Sequence, residues 1–144
     1  MSVDHKSLTV LIAEDEPVSR RLMEASLTNW GYTVLVAEDG EQACALVARG
    51  GVDVCLLDWE MPKKTGLEVC NFIRNTKGIT PEPYVILLTS KNEPEYIAKG
   101  YKAGANDYIT KPFDRAALRK RIMDFSSGAT STTRTKSGSG VTLA

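Results

Sequence analysis

Residues 54–62 read VCLLDWEMP, and this stretch decides the fold. Four apolar residues lead directly into Asp58, without the alternation of apolar and polar side chains that a half-exposed strand shows. A run of this kind is typical of a strand that is covered on both faces, as in a parallel sheet. Such a strand would hold the Asp58 carboxylate rigidly at the edge of the sheet.

Four further apolar, β-branched runs flank this stretch, and segments with helical spacing separate them. With the central run VDVCLL (52–57), they are LTVLIA (8–13), YTVLVA (32–37), YVILL (84–88) and NDYI (106–109). Alternating strands and helices predict right-handed crossovers, and therefore an α/β fold with a doubly wound parallel sheet. Five βα units most often take the flavodoxin-like strand order 2-1-3-4-5, which we expect here.

The intervening segments carry the start and stop signals of helices. The first helix is predicted to bury one apolar stripe, formed by Val18, Leu22, Ala25 and Trp30. Asp39 with Gln42, and Thr65 with Glu68, have the spacing of capping boxes. The fourth helix is predicted to stop at Gly104.

The chain of 144 residues has a length typical of one domain. Residues 1–7 form a polar leader, and the globular domain is predicted to span 8–125, with its last helix opening at Asp114. Residues 126–144 contain no acidic side chain and consist largely of Ser, Thr and Gly. We expect this segment to be a flexible tail or linker stub.

Charge and composition exclude several classes of function. Eighteen basic side chains balance eighteen acidic ones, so no global field favours nucleic acid or an anionic membrane. No apolar run approaches the roughly 20 residues that span a bilayer, and the N-terminus has no secretory h-region. We therefore expect a cytoplasmic protein without direct nucleic-acid or membrane binding.

The cysteines and the histidine limit the possible chemistry. Cys44, Cys55 and Cys70 form no C-x-x-C pair and are expected to be reduced core residues. His5 is the single histidine and lies in the polar leader. A Ser-His-Asp triad or a histidine-rich metal site would therefore depend on that one residue.

Polar side chains follow four of the five predicted strands. Glu14 and Asp15 follow the first strand, Asp58 the third, Thr89 the fourth and Lys111 the fifth. The carboxyl ends of parallel strands meet at one edge of the sheet, where ligands bind at the point of reversed strand order. We therefore expect these five side chains to converge.

The convergence of three carboxylates indicates a cation site. Two carboxylates about 4 Å apart repel by roughly 4 kcal/mol at an effective dielectric near 20, so the three must bind a cation, share a proton or stay apart. Oxygen ligands without His or Cys favour Mg²⁺ over Zn²⁺. Lys111 adds a positive charge for an incoming phosphoryl group, and Asp58 could act as a nucleophile, since carboxylates form aspartyl phosphates.

Each of these residues also has a structural interpretation. The Glu14–Asp15 pair could cap a helix, Thr89 could bond the backbone at a strand end, and Lys111 could be a solvated lysine. Trp59 is expected to pack beside the site rather than to take part in it. The joint placement after strands one, three, four and five favours the functional interpretation.

Four segments together resemble the receiver domain of two-component response regulators. They are LIAEDEP (11–17), LLDWEMP (56–62), ILLTS (86–90) and NDYITKPF (106–113). The resemblance spans residue 8 to about residue 125. It implies a signalling phosphoacceptor rather than an enzyme: a sensor histidine kinase or a phosphotransfer protein would pass a phosphoryl group from phosphohistidine to Asp58, with Mg²⁺ required.

The resemblance implies that the three carboxylates, Glu14, Asp15 and Asp58, hold the metal ion. It implies that Asp58 and Asp15 bind Mg²⁺ directly, while Glu14 acts through water. Glu60 stands where the family uses a backbone carbonyl as a metal ligand, so its side chain is not expected to bind the ion. Many family members have Asp at the position of Glu14, and the longer side chain here could alter how the waters of the metal are held.

The resemblance also implies a conformational switch. Lys111 and Thr89 would contact the phosphoryl group, and Tyr108 would rotate inward when Thr89 moves. The change is expected to remodel the face built from helix four, strand five and helix five, where a downstream protein would bind. Pro112 matches a position that is often preceded by a cis peptide bond. Lys91 and Glu60 occupy variable positions that can tune dephosphorylation.

Three alternatives were open at this point. A phosphohydrolase of the haloacid-dehalogenase type would need D-x-D, but the second position here is Glu60. A flavodoxin would need a hydroxyl-rich loop after the first strand, where this chain has AEDEP. The chain could also be the N-terminal receiver of a multidomain regulator rather than a stand-alone one.

Overall fold

A computed structural model of the chain describes residues 7–128. His5, most of the leader and the tail beyond residue 128 lie outside the described residues. Five strands alternate with five helices: β1 (Thr9–Ala13), α1 (Pro17–Asn29), β2 (Thr33–Ala37), α2 (Gly40–Ala48), β3 (Val54–Asp58), α3 (Gly66–Asn75), β4 (Tyr84–Thr89), α4 (Pro94–Lys102), β5 (Asp107–Thr110) and α5 (Arg115–Ser126). Within the described range, no helix is long and apolar enough to cross a membrane.

The five strands form one parallel sheet in the order β2-β1-β3-β4-β5, as predicted. The register aligns the strand ends: Ala13 pairs with Leu57, and Asp58 pairs with Leu88. Thr89 pairs with Thr110, so Lys111 begins directly beyond the sheet. The side chains that follow the strands therefore meet at one edge.

The chain forms two compact units. The first ends at Lys111 and contains the sheet and helices α1 to α4, and the second begins at Pro112 and contains α5. In the second unit, the Asp114 side chain caps α5 by accepting a hydrogen bond from the Ala117 N–H at 2.7 Å. All residues of the site described below belong to the first unit.

The central strand is buried along its whole length, which explains its unbroken apolar sequence. Cys55 and Leu57 belong to the core cluster that α2 and α3 cover. Leu56 points to the opposite face, because side chains alternate along a strand, and it is also fully buried. Burial on both faces fixes the backbone of β3 up to its last residue, Asp58.

The three cysteines are buried and free, as predicted. Burial raises the pKa of the Cys70 thiol to about 11 and raises that of Cys55 further. Since the thiolate is the reactive form, these are packing residues.

The predicted helix caps are largely confirmed. Thr65 and Glu68 form a reciprocal capping box at the start of α3. Asp39 caps α2 by accepting from the Gln42 N–H at 2.8 Å, but the Gln42 side chain accepts from the Glu38 N–H instead of the Asp39 N–H. The second capping box is therefore wrong in one half, because the side-chain amide reaches one residue further back.

The predicted apolar stripe of α1 is wrong except at Trp30, which is partly buried. Val18 and Leu22 are 57% and 58% exposed, and Ala25 is exposed as well. The inward stripe is instead formed by Ser19, Arg20, Met23, Ser26, Leu27 and Trp30. The helix is therefore rotated relative to the predicted orientation. In its C-terminal half, Ser26 and Leu27 are buried, and in its N-terminal half the polar side chain of Arg20 faces inward.

The Lys111–Pro112 peptide bond is trans, although the resemblance places Pro112 at a position often preceded by a cis bond. In the described part of the chain the cis bond is Thr80–Pro81. Gly104, by contrast, has the positive φ of +113° expected of a glycine that ends a helix, here just beyond α4.

Candidate functional site

Three carboxylates meet at the carboxyl edge of β1 and β3. Glu14 and Asp15 follow β1, and Asp58 ends β3. One oxygen of each carboxylate lies within 4.8 Å of the others. Glu14 and Asp58 are buried, whereas Asp15 is exposed and leaves the group accessible. A set of oxygen ligands with waters in the remaining positions fits Mg²⁺.

Lys111 joins this group from β5. Its ammonium donates to Asp58 Oδ1 at 2.8 Å and to Glu14 Oε1 at 3.3 Å. One cation therefore bridges the two buried carboxylates and offsets part of their repulsion. Of the five side chains predicted to converge, Glu14, Asp15, Asp58 and Lys111 are in mutual contact or close proximity.

Burial dominates the electrostatics of Asp58. It raises the pKa of this carboxyl to about 6, against the lowering effect of Lys111 and with further raising by the charges of Glu14 and Asp15. Burial is the largest single influence on the pKa of Lys111 and would lower it, but the hydrogen bonds and negative charges of Asp58 and Glu14 together outweigh burial, and the pKa is raised. The site therefore holds a firmly protonated lysine beside a carboxylate that is costly to ionise without a further cation.

Thr89 and Tyr108 are linked through the backbone of Lys91. Thr89 ends β4, and its buried Oγ1 accepts a hydrogen bond from the Lys91 N–H at 3.1 Å. Tyr108, in β5, donates its hydroxyl proton to the Lys91 carbonyl at 2.7 Å, and its ring is buried. A shift of the loop at Lys91 would therefore act on both side chains.

The Glu60 side chain is not part of the group of three carboxylates. It is exposed and pairs with the Lys91 ammonium at 3.0 Å. The same ammonium lies 4.8 Å from the centre of the Tyr96 ring. The role of the Glu60 backbone carbonyl as a metal ligand stays a prediction.

Trp59 packs beside the site. Its indole meets the rings of Tyr96 and Tyr108 edge-on, with centroids 5.9 and 6.2 Å away. A cleft of about 430 Å³ opens next to it, lined by Asp15, Trp59, Glu60, Met61, Pro62 and Thr65. Because Trp59 and Asp15 line the same cleft, a change at the carboxylates is expected to alter the fluorescence of the indole.

Sequence reasoning missed three close contacts around the site. A Cβ on Gly66 would lie 2.6 Å from the Asp58 carbonyl oxygen, and one on Gly40 would overlap the Lys64 carbonyl. Arg20 donates to the backbone of the acid loop. The position of Gly66 at a helix start was visible in the sequence, but its contact with Asp58 was not, because tertiary neighbours leave no local pattern.

The sheet order and the acid group with its lysine are the features of a phosphoacceptor domain. The sequence model of the response regulator receiver domain matches residues 10–123, and the chain belongs to this family. The phosphate regulon transcriptional regulatory protein PhoB of Pseudomonas aeruginosa is 36% identical over 114 residues, which are 79% of this chain and 49% of that protein. The chain thus spans about half the length of the curated relatives it matches.

Solved structures agree with this assignment. The receiver domain of a sensor histidine kinase from Pseudomonas aeruginosa, with a magnesium ion coordinated in its active site cleft, is 32% identical at a TM-score of 0.73, covering 83% of this chain and 97% of the other. The chemotaxis protein CheY4 of Vibrio cholerae is 29% identical at a TM-score of 0.76, covering 82% and 98%.

Proposed function

We propose that Asp58 accepts a phosphoryl group from the phosphohistidine of a sensor histidine kinase or a phosphotransfer protein. The observation that carries this proposal is the Asp58 carboxylate itself. It is fixed at the end of a fully buried strand, within hydrogen-bond distance of Lys111 and beside two further acids. The chain acts on its own side chain in this reaction and signals through the result.

The transfer is a displacement at phosphorus. An Asp58 oxygen forms the new bond to phosphorus while the bond to the imidazole nitrogen breaks, and its electron pair returns to the imidazole. In the loose transition state, negative charge lies on the phosphoryl oxygens. The Lys111 ammonium, which donates to Asp58 Oδ1, can instead donate to one of these phosphoryl oxygens while it stays in the site.

Glu14, Asp15 and Asp58 would hold Mg²⁺, with the Glu60 carbonyl as the further ligand that the resemblance implies. When bound, Mg²⁺ supplies positive charge that neutralises the acid group and the phosphoryl oxygens. The mutual distances of the three carboxylates and the absence of nitrogen or sulfur ligands among them support this choice of ion. The magnesium ion in the related receiver domain supports it as well.

Thr89 and Tyr108 would carry the signal. The Thr89 hydroxyl can donate to a phosphoryl oxygen on Asp58, and this contact would favour a conformation in which Thr89 has moved. Because the backbone of Lys91 binds both Thr89 and Tyr108, the loop between β4 and α4 would move with them. The surface formed by α4 and β5 is where a downstream protein would sense the change.

Labelling with a small phosphodonor tests this function. Wild type with acetyl phosphate should become phosphorylated in Mg²⁺ and remain unlabelled in EDTA. Asp58→Asn should stay unlabelled in both, because an amide cannot act as the nucleophile. Asp53→Asn is the matched control, since Asp53 lies before β3 at the opposite end of the strand. Equal labelling of Asp58→Asn and wild type would show that Asp58 is not the acceptor.

A further inference from the structure

Arg20 is the charged side chain that α1 turns inward. Its side chain is only 14% exposed, although Val18 and Leu22 on the same helix are more than half exposed. An arginine near the start of a surface helix usually extends into water. Its burial here therefore depends on specific partners.

The partners of Arg20 are the backbone carbonyls of the acid loop. Its Nη1 donates to the Glu14 carbonyl at 3.0 Å and to the Asp15 carbonyl at 3.3 Å. Both carbonyls lie before the first backbone bond of the helix, which runs from the Arg20 N–H to the Glu16 carbonyl. The regular hydrogen bonds of the helix therefore do not reach these two carbonyls, and the guanidinium supplies a hydrogen-bond donor to each of them.

Arg20 also ties this loop to the neighbouring strand connection. Its Nη2 lies 3.8 Å from Oε2 of Glu38, which follows β2. The Glu14 N–H donates to the Ala37 carbonyl at 3.2 Å, so the same two loops are also joined through their backbones. The loop that carries two of the three carboxylates is thus held from the side opposite Lys111.

We propose that Arg20 is a positioning residue for the metal site: it holds the backbone of Glu14 and Asp15 so that their carboxylates meet Asp58. This inference rests on the proposed function, because it assumes that the three carboxylates bind Mg²⁺. Among the described residues, the partners of the Arg20 guanidinium are the two carbonyls and the Glu38 carboxylate, not the three carboxylates of the site. It acts through the two carbonyls, as groups that orient metal ligands do.

A purely electrostatic role for Arg20 predicts the opposite sign. Removing a positive charge near three carboxylates makes the site more negative, so Mg²⁺ would bind more tightly. Loss of positioning instead weakens binding, because the ligands must be ordered when the ion binds. The direction of the change in Mg²⁺ affinity therefore separates the two.

The test is a Mg²⁺ titration of the full chain. Binding is monitored by the heat released in calorimetry and by the fluorescence of Trp59 in a Trp30→Phe background. Arg20→Gln should raise the Kd for Mg²⁺ about 10-fold, the lower end of the range for residues that orient ligands. Arg21→Gln is the matched control: it removes the same charge from an exposed neighbour on the same helix and should change the Kd by less than about twofold. Urea unfolding of each variant establishes that the folded state is being titrated.

Arg20→Lys gives a second variant in case Arg20→Gln does not fold. It keeps the charge but replaces the planar fork by a compact ammonium, so its Kd should lie between those of the parent and Arg20→Gln. Equal or tighter binding by Arg20→Gln, or by Arg20→Lys where only that variant folds, overturns the role of Arg20 and leaves the proposed function intact. A parent protein that shows no heat and no fluorescence change with Mg²⁺ overturns the proposed metal site and this inference with it.

Discussion

Asp58 combines two properties that oppose each other in a resting protein. Burial at the end of β3 fixes its carboxylate in place, but the same burial raises its pKa to about 6. A cation or a phosphoryl group with its own counter-charges removes this cost. In the proposed function, this cost favours the reaction of Asp58.

The raised pKa of Asp58 predicts how stability depends on pH in the absence of metal. The folded state binds this proton more tightly than the unfolded chain, whose pKa is near 3.8. The stabilising contribution is therefore full below pH 3.8 and is lost as the pH rises through about 6. Asp58→Asn has no such loss, because its amide does not ionise.

Urea unfolding in EDTA measures this effect. The stability of Asp58→Asn relative to wild type should increase between about pH 4 and about pH 8, by at most about 3 kcal/mol. A difference between the two proteins that stays constant across this range would contradict the assignment of the raised pKa to Asp58.

Lys63 holds a strained backbone conformation in the loop after β3. Its φ is +72°, in the left-handed region that costs a side chain about 1–2 kcal/mol. Lys63→Gly should therefore raise the free energy of unfolding by about 0.5 kcal/mol, after the greater entropy of glycine in the unfolded chain is subtracted. The lost ion pair to Asp39 contributes little, because its N and O atoms are 3.9 Å apart and the Lys63 side chain is 58% exposed.

Lys64→Gly is the control for this prediction. Lys64 has no positive φ, so glycine there relieves no strain; it adds unfolded-state entropy, removes the packing of the Lys64 Cβ near Gly40 and should lower the stability by about 0.5–1 kcal/mol. Urea midpoints of the two variants should move in opposite directions. Movement in the same direction would show that backbone strain at Lys63 is absent.

At the scale of elements, the buried face of α1 is set by its tertiary contacts rather than by the apolar pattern of its sequence. Leu27 is fully buried and Leu22 is largely exposed. Leu27→Ala should cost about 2–4 kcal/mol of stability, as for other buried leucines. Leu22→Ala should change it by less than about 0.5 kcal/mol, as exposed substitutions do. Similar losses from the two substitutions, in urea unfolding, would contradict the orientation of the helix.

The strands and the order of the sheet could be predicted because their signal is local and repeated. Each apolar run marked a strand, and the alternation with helices fixed a parallel sheet. The rotation of α1 could not be predicted, because it depends on the bonds from Arg20 to the Glu14 and Asp15 carbonyls. The hydrogen bond from the Glu38 N–H to the Gln42 side chain could not be predicted either, because the capping-box pattern does not distinguish Glu38 from Asp39 as the donor.

At the scale of the whole molecule, the balanced composition conceals a local concentration of charge. The chain carries no net charge, yet three acids and one lysine gather at a single edge of the sheet. Their convergence was predictable because topology alone brings strand ends together. The link from Thr89 through Lys91 to Tyr108 was not, since it runs through backbone atoms that have no sequence signature.

The most direct measurement is the position of the phosphoryl group after reaction with acetyl phosphate and Mg²⁺. Intact mass should show a single phosphoryl group per chain. Hydride reduction of the acyl phosphate releases the phosphate and converts the modified carboxyl to an alcohol, and peptide mapping should locate this alcohol at position 58. The modification should be absent in EDTA and in Asp58→Asn. A reduced side chain at Asp15, Glu14 or another residue, with the Asp58 carboxyl unreduced, would contradict the central claim.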